Sequence, residues 1–305
     1  MRRALLLAIA TILFCSATAY ADTPLDRIVA FGDSYSDNGA GYAATRAMVA
    51  HDVTDARAKP GPDYWRQRWS NGPTAVEVMA DTLSLPLADY AIGGATSGTQ
   101  NYYSWMNRAR PTGTLAQIDD YLAHQPRRRA NDSALYVIFA SANDFFARED
   151  FKRAISISKL AEKAANNIER GVTTLSRAGA RHILVIGSVD LEHVPAVVQQ
   201  DQTDDARQFA SRFDRAVKAA LAEPRANDTA DITWFDHQAV TARIRDEADQ
   251  YDLTNLHTPC RPVMVEAPTT CQAPDTYFYW DEWHPTRVVH RLLGLALARH
   301  VRGSS

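Results

Sequence analysis

The most constraining feature of this sequence is a series of short apolar runs without polar alternation, separated by segments of helical periodicity. The predicted strands are residues 27–31, 87–91, 134–140, 182–186 and 232–235. Apolar strands that are separated by helices belong to a parallel sheet whose two faces are both covered. The sequence therefore predicts an α/β fold, a three-layer α/β/α domain with a flavodoxin-like parallel sheet.

The predicted helices fill the stretches between these strands. They are residues 74–83, 155–177, 204–221 and 288–301. No internal repeat, low-complexity tract or long linker interrupts the alternation. We therefore expect one domain that covers residues 22–305. A chain of this length can form a single large α/β domain.

The first 21 residues have the pattern of a secretory signal peptide. Arg2 and Arg3 form a charged start, residues 4–15 are apolar, and residues 19–21 (AYA) match a small-x-small cleavage site. The alternative, a transmembrane anchor, needs about 20 apolar residues, and this run is shorter. We expect a protein that is exported and then either secreted or kept in the periplasm.

The net charge and the cysteines of the exported chain exclude some partners and predict a disulfide. Loss of Arg2 and Arg3 takes the formal net charge from −3 to −5, which argues against nucleic acid as a partner. Cys260 and Cys271 are the cysteines that remain, and an even pair in an exported chain predicts a disulfide. No zinc motif is present, and no metal is expected.

Several turns that follow the predicted strands carry polar or glycine residues, and a further polar turn precedes the last helix. These turns are residues 32–39 (GDSYSDNG), 92–98 (IGGATSG), 141–144 (SAND) and 280–285 (WDEWHP). In open α/β sheets, ligands bind at the carboxyl ends of the strands. We therefore interpret the four turns as one group.

The residue types in these turns fit acyl transfer through a serine. Ser34 needs a base, and histidine is suitable because its ordinary pKa of about 6.5 leaves it mostly neutral at pH 7. His284 could supply that base, with Asp281 three residues earlier to orient the ring. The backbone N–H groups of Ser34 and Gly94 and the amide of Asn143 could bind an oxyanion. Each residue also has an ordinary structural interpretation, as a surface serine, a cap or a turn.

Taken together, the four turns resemble the SGNH, or GDSL, hydrolases. The matching blocks are residues 31–39 (FGDSYSDNG), 91–96 (AIGGAT), 142–144 (AND) and 281–286 (DEWHPT), in the order of the family. The resemblance implies Ser34 as nucleophile, His284 as base, Asp281 as its partner, and an oxyanion hole from Ser34, Gly94 and Asn143. It implies no cofactor. Ser141 departs from the pattern, since the family usually has glycine two residues before the asparagine.

The sequence predicts the family but leaves several substrate classes open. Residues 68–73 (RWSNGP) and 280–290 are similar to secreted bacterial lipases, phospholipases, lysophospholipases and glycerophospholipid–cholesterol acyltransferases. A carbohydrate acetylesterase is the alternative within the family, and a non-catalytic lipid- or glycan-binding protein is the alternative from another class. A lipid ester would bring transient contact with a membrane surface. Aromatic side chains near the motifs are expected to form the substrate wall, or else to be core: Tyr102, Trp105, Phe145, Trp280 and Trp283.

Overall fold

The structure is a computed structural model that describes residues 24–222 and 230–303; the predicted signal peptide lies outside the described residues. Its centre is a sheet of five parallel strands in the order β2-β1-β3-β4-β5. The strands are β1 (Arg27–Gly32), β2 (Leu87–Asp89), β3 (Ala134–Phe139), β4 (His182–Ile186) and β5 (Asp231–Phe235). The prediction of a flavodoxin-like parallel sheet is confirmed.

The register of the two central strands brings the first and third turns together. Phe31 pairs with Ile138 and Gly32 with Phe139, so β1 and β3 end level with each other. A Cβ on Gly32 would lie 2.1 Å from the carbonyl oxygen of Phe139, and only glycine allows this approach. The turns that begin at Asp33 and after Phe139 therefore start side by side.

Helices cover both faces of the sheet and complete three layers. α4, α6 and α8 pack together as one group, and α2, α9 and α10 pack together as the other. The helices are α1 (Ala40–Ala50), α2 (Ala75–Leu83), α3 (Ser104–Ala109), α4 (Thr114–Ala123), α5 (Ala142–Asp150), α6 (Ile157–Ala178), α7 (Pro195–Gln199), α8 (Thr203–Ala222), α9 (His237–Asp246) and α10 (Arg287–Gly303). The four predicted helices are α2, α6, α8 and α10. None of the helices in the described part of the chain is long and apolar enough to cross a membrane.

Helix ends follow local sequence signals. Thr74 forms a capping box with Glu77 at the start of α2, and each side chain bonds the other residue's backbone N–H. Ser156 caps α6, and Gly179 ends it in the left-handed conformation. Because α2 and α6 lie in different helical layers, these caps fix elements on both sides of the sheet.

A small second sheet precedes the last helix. β6 (Asn255–Pro259) pairs with β7 (Tyr277–Tyr279), and the predicted disulfide joins Cys260 to Cys271 directly after β6. The N–H of Cys260 donates to the carbonyl of Tyr279, and the N–H of Arg261 donates to that of Trp280. The bridged segment thus runs beside the chain that leads into the turn at Asp281.

Candidate active site

Ser34 lies in a tight turn directly after β1. The side chain of Asp33 accepts the N–H of Tyr35 at 3.1 Å, and the backbone carbonyl of Asp33 accepts the N–H of Asp37 at 3.0 Å. The turn leaves Ser34 only 9% exposed, at the wall of a cavity. Its Oγ is 2.8 Å from Nε2 of His284, which is 250 residues away in the sequence.

The turn before α10 orients His284 with its own carboxylate. Asp281 accepts the backbone N–H groups of Trp283 and His284, both at 2.8 Å, and its two oxygens lie 2.8 Å from Nδ1 of His284. Since Nδ1 faces a carboxylate, we assign it the ring proton. Nε2 is then the acceptor for the Ser34 hydroxyl, as a general base requires.

Asp281 is fully buried, and its environment keeps it ionised. Burial alone would raise its pKa, but the charge of His284 and hydrogen bonds from His284 and Tyr64 outweigh burial and lower the pKa. The Tyr64 hydroxyl donates to Oδ2 at 2.6 Å. The Arg261 guanidinium lies 5.5 Å from the centre of the Tyr64 ring and pairs with Asp63. Tyr64 was not anticipated from the sequence, because it lies 217 residues from Asp281.

Three donors face the cavity beside the Ser34 hydroxyl. In the part of the chain that the structure describes, the backbone N–H groups of Ser34 and Gly94 have no acceptor. Asn143 lines the cavity with them, and its Nδ2 donates one hydrogen bond to the carbonyl of Ala95 at 3.1 Å. Gly94 has φ of +82°, and a Cβ there would lie 2.5 Å from Oδ1 of Asn101. Such a set of donors can bind a developing oxyanion.

Hydrogen bonds to the side chain of Asp37 connect the loops of the site. Its Oδ1 accepts the N–H of Gly39 at 2.9 Å, and its Oδ2 accepts the N–H of Gly93 at 2.8 Å and the indole N–H of Trp69 at 3.2 Å. The Trp69 ring centroid lies 5.2 Å from that of His284. One buried carboxylate therefore positions the Ser34 turn, the glycine turn and an aromatic wall of the site.

Ser141, the departure from the family pattern, directs its hydroxyl away from the donors. Its Oγ donates to Oγ of Ser188 at 3.2 Å, and Ser188 donates to the carbonyl of Val189. Ser141 is buried and does not line the cavity, whereas Asn143 does. The extra side chain therefore links the segments that follow β3 and β4, and Asn143 still lines the cavity.

The cavity beside Ser34 and His284 has a volume of about 470 Å³. Two of the aromatic residues expected in the substrate wall, Tyr102 and Trp283, line it, together with the neighbouring Tyr103 and Phe146. Further lining residues that were not anticipated from the sequence as substrate wall include Lys59, Tyr64, Trp69, Asp150 and Val263. All five lie outside the four motif turns. Asp150 is the last residue of α5, and the other four lie on loops that no strand pattern connects to the site.

Three other aromatic residues do not line the cavity, which corrects the expectation for them. Phe145 is fully buried on α5 and packs against Phe209 at 5.8 Å between ring centroids. Trp105 belongs to a separate cluster of buried apolar side chains with Met106. Trp280 is only 5% exposed, although it directly precedes Asp281. In each case the side chain is directed into the protein, where burial of its apolar area contributes to stability.

One cluster among the described residues has metal-ligand types, namely Asp190, Glu192 and His193. Its charges are already paired within the chain. Asp190 bonds the guanidinium of Arg245 and the ring of His193, and Glu192 pairs with Arg207. Because these groups neutralise one another, the cluster gives no reason to invoke a metal.

A flavodoxin-like sheet that carries a serine–histidine–aspartate chain and oxyanion donors at its carboxyl edge defines the SGNH hydrolase class. Comparison with known proteins gives the family: the chain belongs to the GDSL-like lipase/acylhydrolase family, whose sequence model matches residues 28–297. That match includes all four motif turns. The family predicted from the sequence is thereby confirmed.

Individual relatives agree with this family. The chain is 24% identical over 284 residues to the thermolabile hemolysin of Vibrio parahaemolyticus, covering 88% of this chain but 62% of that protein. It is 25% identical over 314 residues to the phosphatidylcholine-sterol acyltransferase of Aeromonas hydrophila, covering 88% and 87%. Among solved structures, the aryl esterase of M. smegmatis superimposes with a TM-score of 0.51 at 17% identity, covering 92% of this chain and 100% of that one. The structural likeness shows the shared fold.

The buried carboxyl group of Asp33 allows a test of how burial changes a pKa, and with it the stability, at this site. Burial is the main reason that its pKa rises from 3.8 to about 7, so the folded protein holds a proton that the unfolded chain releases. Stability therefore falls as the pH rises from about 4 to about 7. In Asp33→Asn this loss is removed, and the bond from the Tyr35 N–H is kept. We expect a Tm gain of several degrees at pH 8, equivalent to roughly 2 kcal/mol, and little gain at pH 4.

Thermal unfolding of both proteins at pH 4 and pH 8 measures this difference. The exposed Asp132 provides the matched control, because an aspartate in water has no burial cost to remove. Asp132→Asn is expected to change Tm equally little at both pH values. A gain in Asp33→Asn that is the same at pH 4 and pH 8 would contradict the explanation by ionisation.

Proposed function

We propose that this protein is an exported serine ester hydrolase of the lipase, phospholipase or lysophospholipase type. The observation that carries the proposal is the continuous hydrogen-bonded chain from Ser34 through His284 to the buried Asp281, at the wall of a cavity. A complete chain of this kind also argues against a protein that only binds lipid or glycan. Such a protein has no need of a base that contacts a serine.

In the proposed reaction, Oγ of Ser34 attacks the ester carbonyl while Nε2 of His284 takes the hydroxyl proton. The carbonyl oxygen becomes an oxyanion, which the N–H groups of Ser34 and Gly94 and the amide of Asn143 stabilise. The C–O bond to the leaving alcohol then breaks, and His284 returns the proton to that alcohol. Water hydrolyses the acyl-enzyme, or a second alcohol accepts the acyl group.

Exposed apolar side chains around the cavity favour a lipid substrate over an acetylated glycan. Phe151 is 48% exposed and its ring centroid lies 5.1 Å from that of Tyr102 in the cavity wall. Met264 and Val265 are 47% and 48% exposed and follow Val263, which lines the cavity. An apolar rim of this kind suits contact with a lipid surface. The acyltransferase relative, named for phosphatidylcholine, adds support.

A substrate panel on the purified protein, combined with a serine probe, tests this proposal. We expect a fluorophosphonate to label the protein at Ser34, and hydrolysis of p-nitrophenyl octanoate and of lysophospholipids to exceed that of p-nitrophenyl acetate. Strict preference for acetyl esters would favour the carbohydrate acetylesterase instead. Absence of labelling and of turnover on every ester would contradict the enzyme assignment.

The apolar rim gives a separate prediction about lipid surfaces. Met264→Asp places a charge where an apolar side chain would enter the lipid, so hydrolysis of micellar substrate is expected to fall about fivefold. Hydrolysis of monomeric p-nitrophenyl butyrate serves as the internal reference in the same preparation. Val198→Asp is the control, because Val198 is 54% exposed and outside the cavity lining. An equal loss on micelles in both variants would contradict a role for the rim.

We also propose that residues 1–21 are removed on export and that residues 22–305 form one domain. The disulfide between Cys260 and Cys271 supports an oxidising compartment. The family match over residues 28–297 supports a single domain. Amino-terminal sequencing of the protein recovered from outside the cytoplasm is expected to begin near Asp22.

A further inference from the structure

We propose that the cavity contains a subsite for a zwitterionic phospholipid headgroup, in which Lys59 binds the phosphate and Asp150 with Tyr102 binds the ammonium group. The inference rests on the proposed ester hydrolase function and deepens it by naming the substrate class. Both charged side chains line the same cavity as Ser34 and His284.

Lys59 is the cation that we assign to the phosphate. It is half-buried at the cavity, and no carboxylate in the described ranges 24–222 and 230–303 forms an ion pair with it. Its Nζ lies 5.8 Å from the centre of the Tyr103 ring. That ring comes within 3.0 Å of where a Cβ on Gly94 would lie, so Tyr103 connects the cation to the oxyanion donors.

The backbone of Lys59 is fixed independently of its side chain. The hydroxyl of the buried Thr45 accepts the N–H of Lys59 at 3.0 Å and donates to the carbonyl of Lys59 at 3.3 Å. The ammonium group is therefore presented from an anchored loop. A phosphate is the anion that such a lysine would bind as a point charge.

Asp150 provides the opposite charge at the end of α5. Its Oδ2 accepts the Tyr102 hydroxyl at 2.7 Å, and no cation among the residues that the structure describes pairs with it. The nearby Arg148 pairs instead with Glu149 and Asp205. A carboxylate beside an aromatic ring favours an ammonium group, which is attracted both by the charge and by the ring face.

Two aromatic rings separate the cation from the anion. Tyr103 lies next to Lys59 and Tyr102 next to Asp150, with their ring centroids 5.3 Å apart. Lys59 is half-buried and Asp150 is exposed, and both line the cavity, so a bound headgroup removes water from both charges. A headgroup with a phosphate and an ammonium group offers a partner to each charge, whereas a neutral ester offers a partner to neither. An anionic headgroup without an ammonium leaves Asp150 unpaired.

Esters with one short acyl chain and different headgroups test the subsite as monomers in solution. We expect wild-type kcat/KM to be highest for lysophosphatidylcholine and lysophosphatidylethanolamine, and about tenfold lower for lysophosphatidylglycerol and monoacylglycerol. Lys59→Met should reduce the ratio of lysophosphatidylcholine to monoacylglycerol about tenfold, mainly through KM, and Lys59→Arg should restore most of it. Asp150→Asn should instead reduce the ratio of lysophosphatidylcholine to lysophosphatidylglycerol. Equal kcat/KM for all headgroups in the wild type would overturn the proposal.

Matched variants and a binding measurement separate this proposal from the ester hydrolase function. The exposed Lys159 and Asp132 are controls, and Lys159→Met and Asp132→Asn are expected to leave both ratios unchanged. In the Ser34→Ala variant, calorimetry should detect binding of monomeric dodecylphosphocholine. Adding Lys59→Met to this variant should weaken the binding about tenfold, and dodecyl maltoside serves as the uncharged reference. Equal binding of the two detergents overturns the subsite alone. Ester hydrolysis that persists in Ser34→Ala overturns the proposed function alone.

Discussion

Ser34→Ala is expected to abolish ester hydrolysis, with kcat reduced at least ~10⁴-fold on p-nitrophenyl octanoate. The hydroxyl that His284 contacts at 2.8 Å is the only group that the proposed mechanism uses to form the acyl-enzyme. Without it, the oxyanion donors and the cavity retain only a residual effect on attack by water. Steady-state kinetics and loss of fluorophosphonate labelling measure the change, and circular dichroism verifies the fold.

Ser36→Ala is the matched control for this prediction. Ser36 lies two residues further along the same turn and is fully buried, and its Oγ has no hydrogen-bond partner among the residues that the structure describes. Removing that hydroxyl leaves no polar group newly unsatisfied, so activity and stability are expected to change little. Equal losses in both variants would indicate that the turn, rather than the Ser34 hydroxyl, is sensitive to substitution.

The sheet and its motif turns could be predicted because both depend on local pattern. The run at 134–140 is apolar at every position, and the whole of β3 is buried. Continuous apolar strands impose a parallel sheet, and a parallel sheet collects the turns at one edge. The proximity of Ser34 and Asn143 then follows from the level ends of β1 and β3, without knowledge of any side-chain contact.

Other parts of the site depend on contacts between distant segments, and no local pattern encodes them. The hydrogen bond from Tyr64 to Asp281 joins a loop before α2 to the turn before α10. The placement of Lys59 at the cavity likewise depends on how its loop is anchored at Thr45. The residue types at these positions are ordinary for loops, so the sequence offered no signal for them.

The orientation of the aromatic side chains beside the motifs could not be predicted from the sequence either. Phe145 and Phe146 are adjacent on α5, yet Phe146 lines the cavity and Phe145 is buried in the core. Consecutive residues on a helix point in directions about 100° apart, since a turn takes 3.6 residues. Which of the two faces the cavity is decided by the rotation of the helix against the sheet, and that rotation is a property of tertiary packing.

Asp281→Asn is expected to reduce kcat by ~10³- to 10⁴-fold while leaving KM within a few-fold of the wild type. Asparagine can still accept the backbone N–H groups of Trp283 and His284, so the turn should remain formed. Its amide, however, presents an N–H group to Nδ1 of His284. The ring then favours the tautomer with the proton on Nε2, which cannot accept the proton of Ser34.

Tyr64→Phe distinguishes the loss of the Asp281 charge from a less firmly held Asp281 side chain. It removes one hydrogen bond to Oδ2 of Asp281 and leaves the carboxylate in contact with His284, so kcat is expected to fall only about tenfold. Steady-state kinetics on p-nitrophenyl octanoate measures kcat and KM for both variants. Near-wild-type kcat in Asp281→Asn would mean that His284 is held by the backbone of its turn, and that the buried carboxylate serves the turn alone.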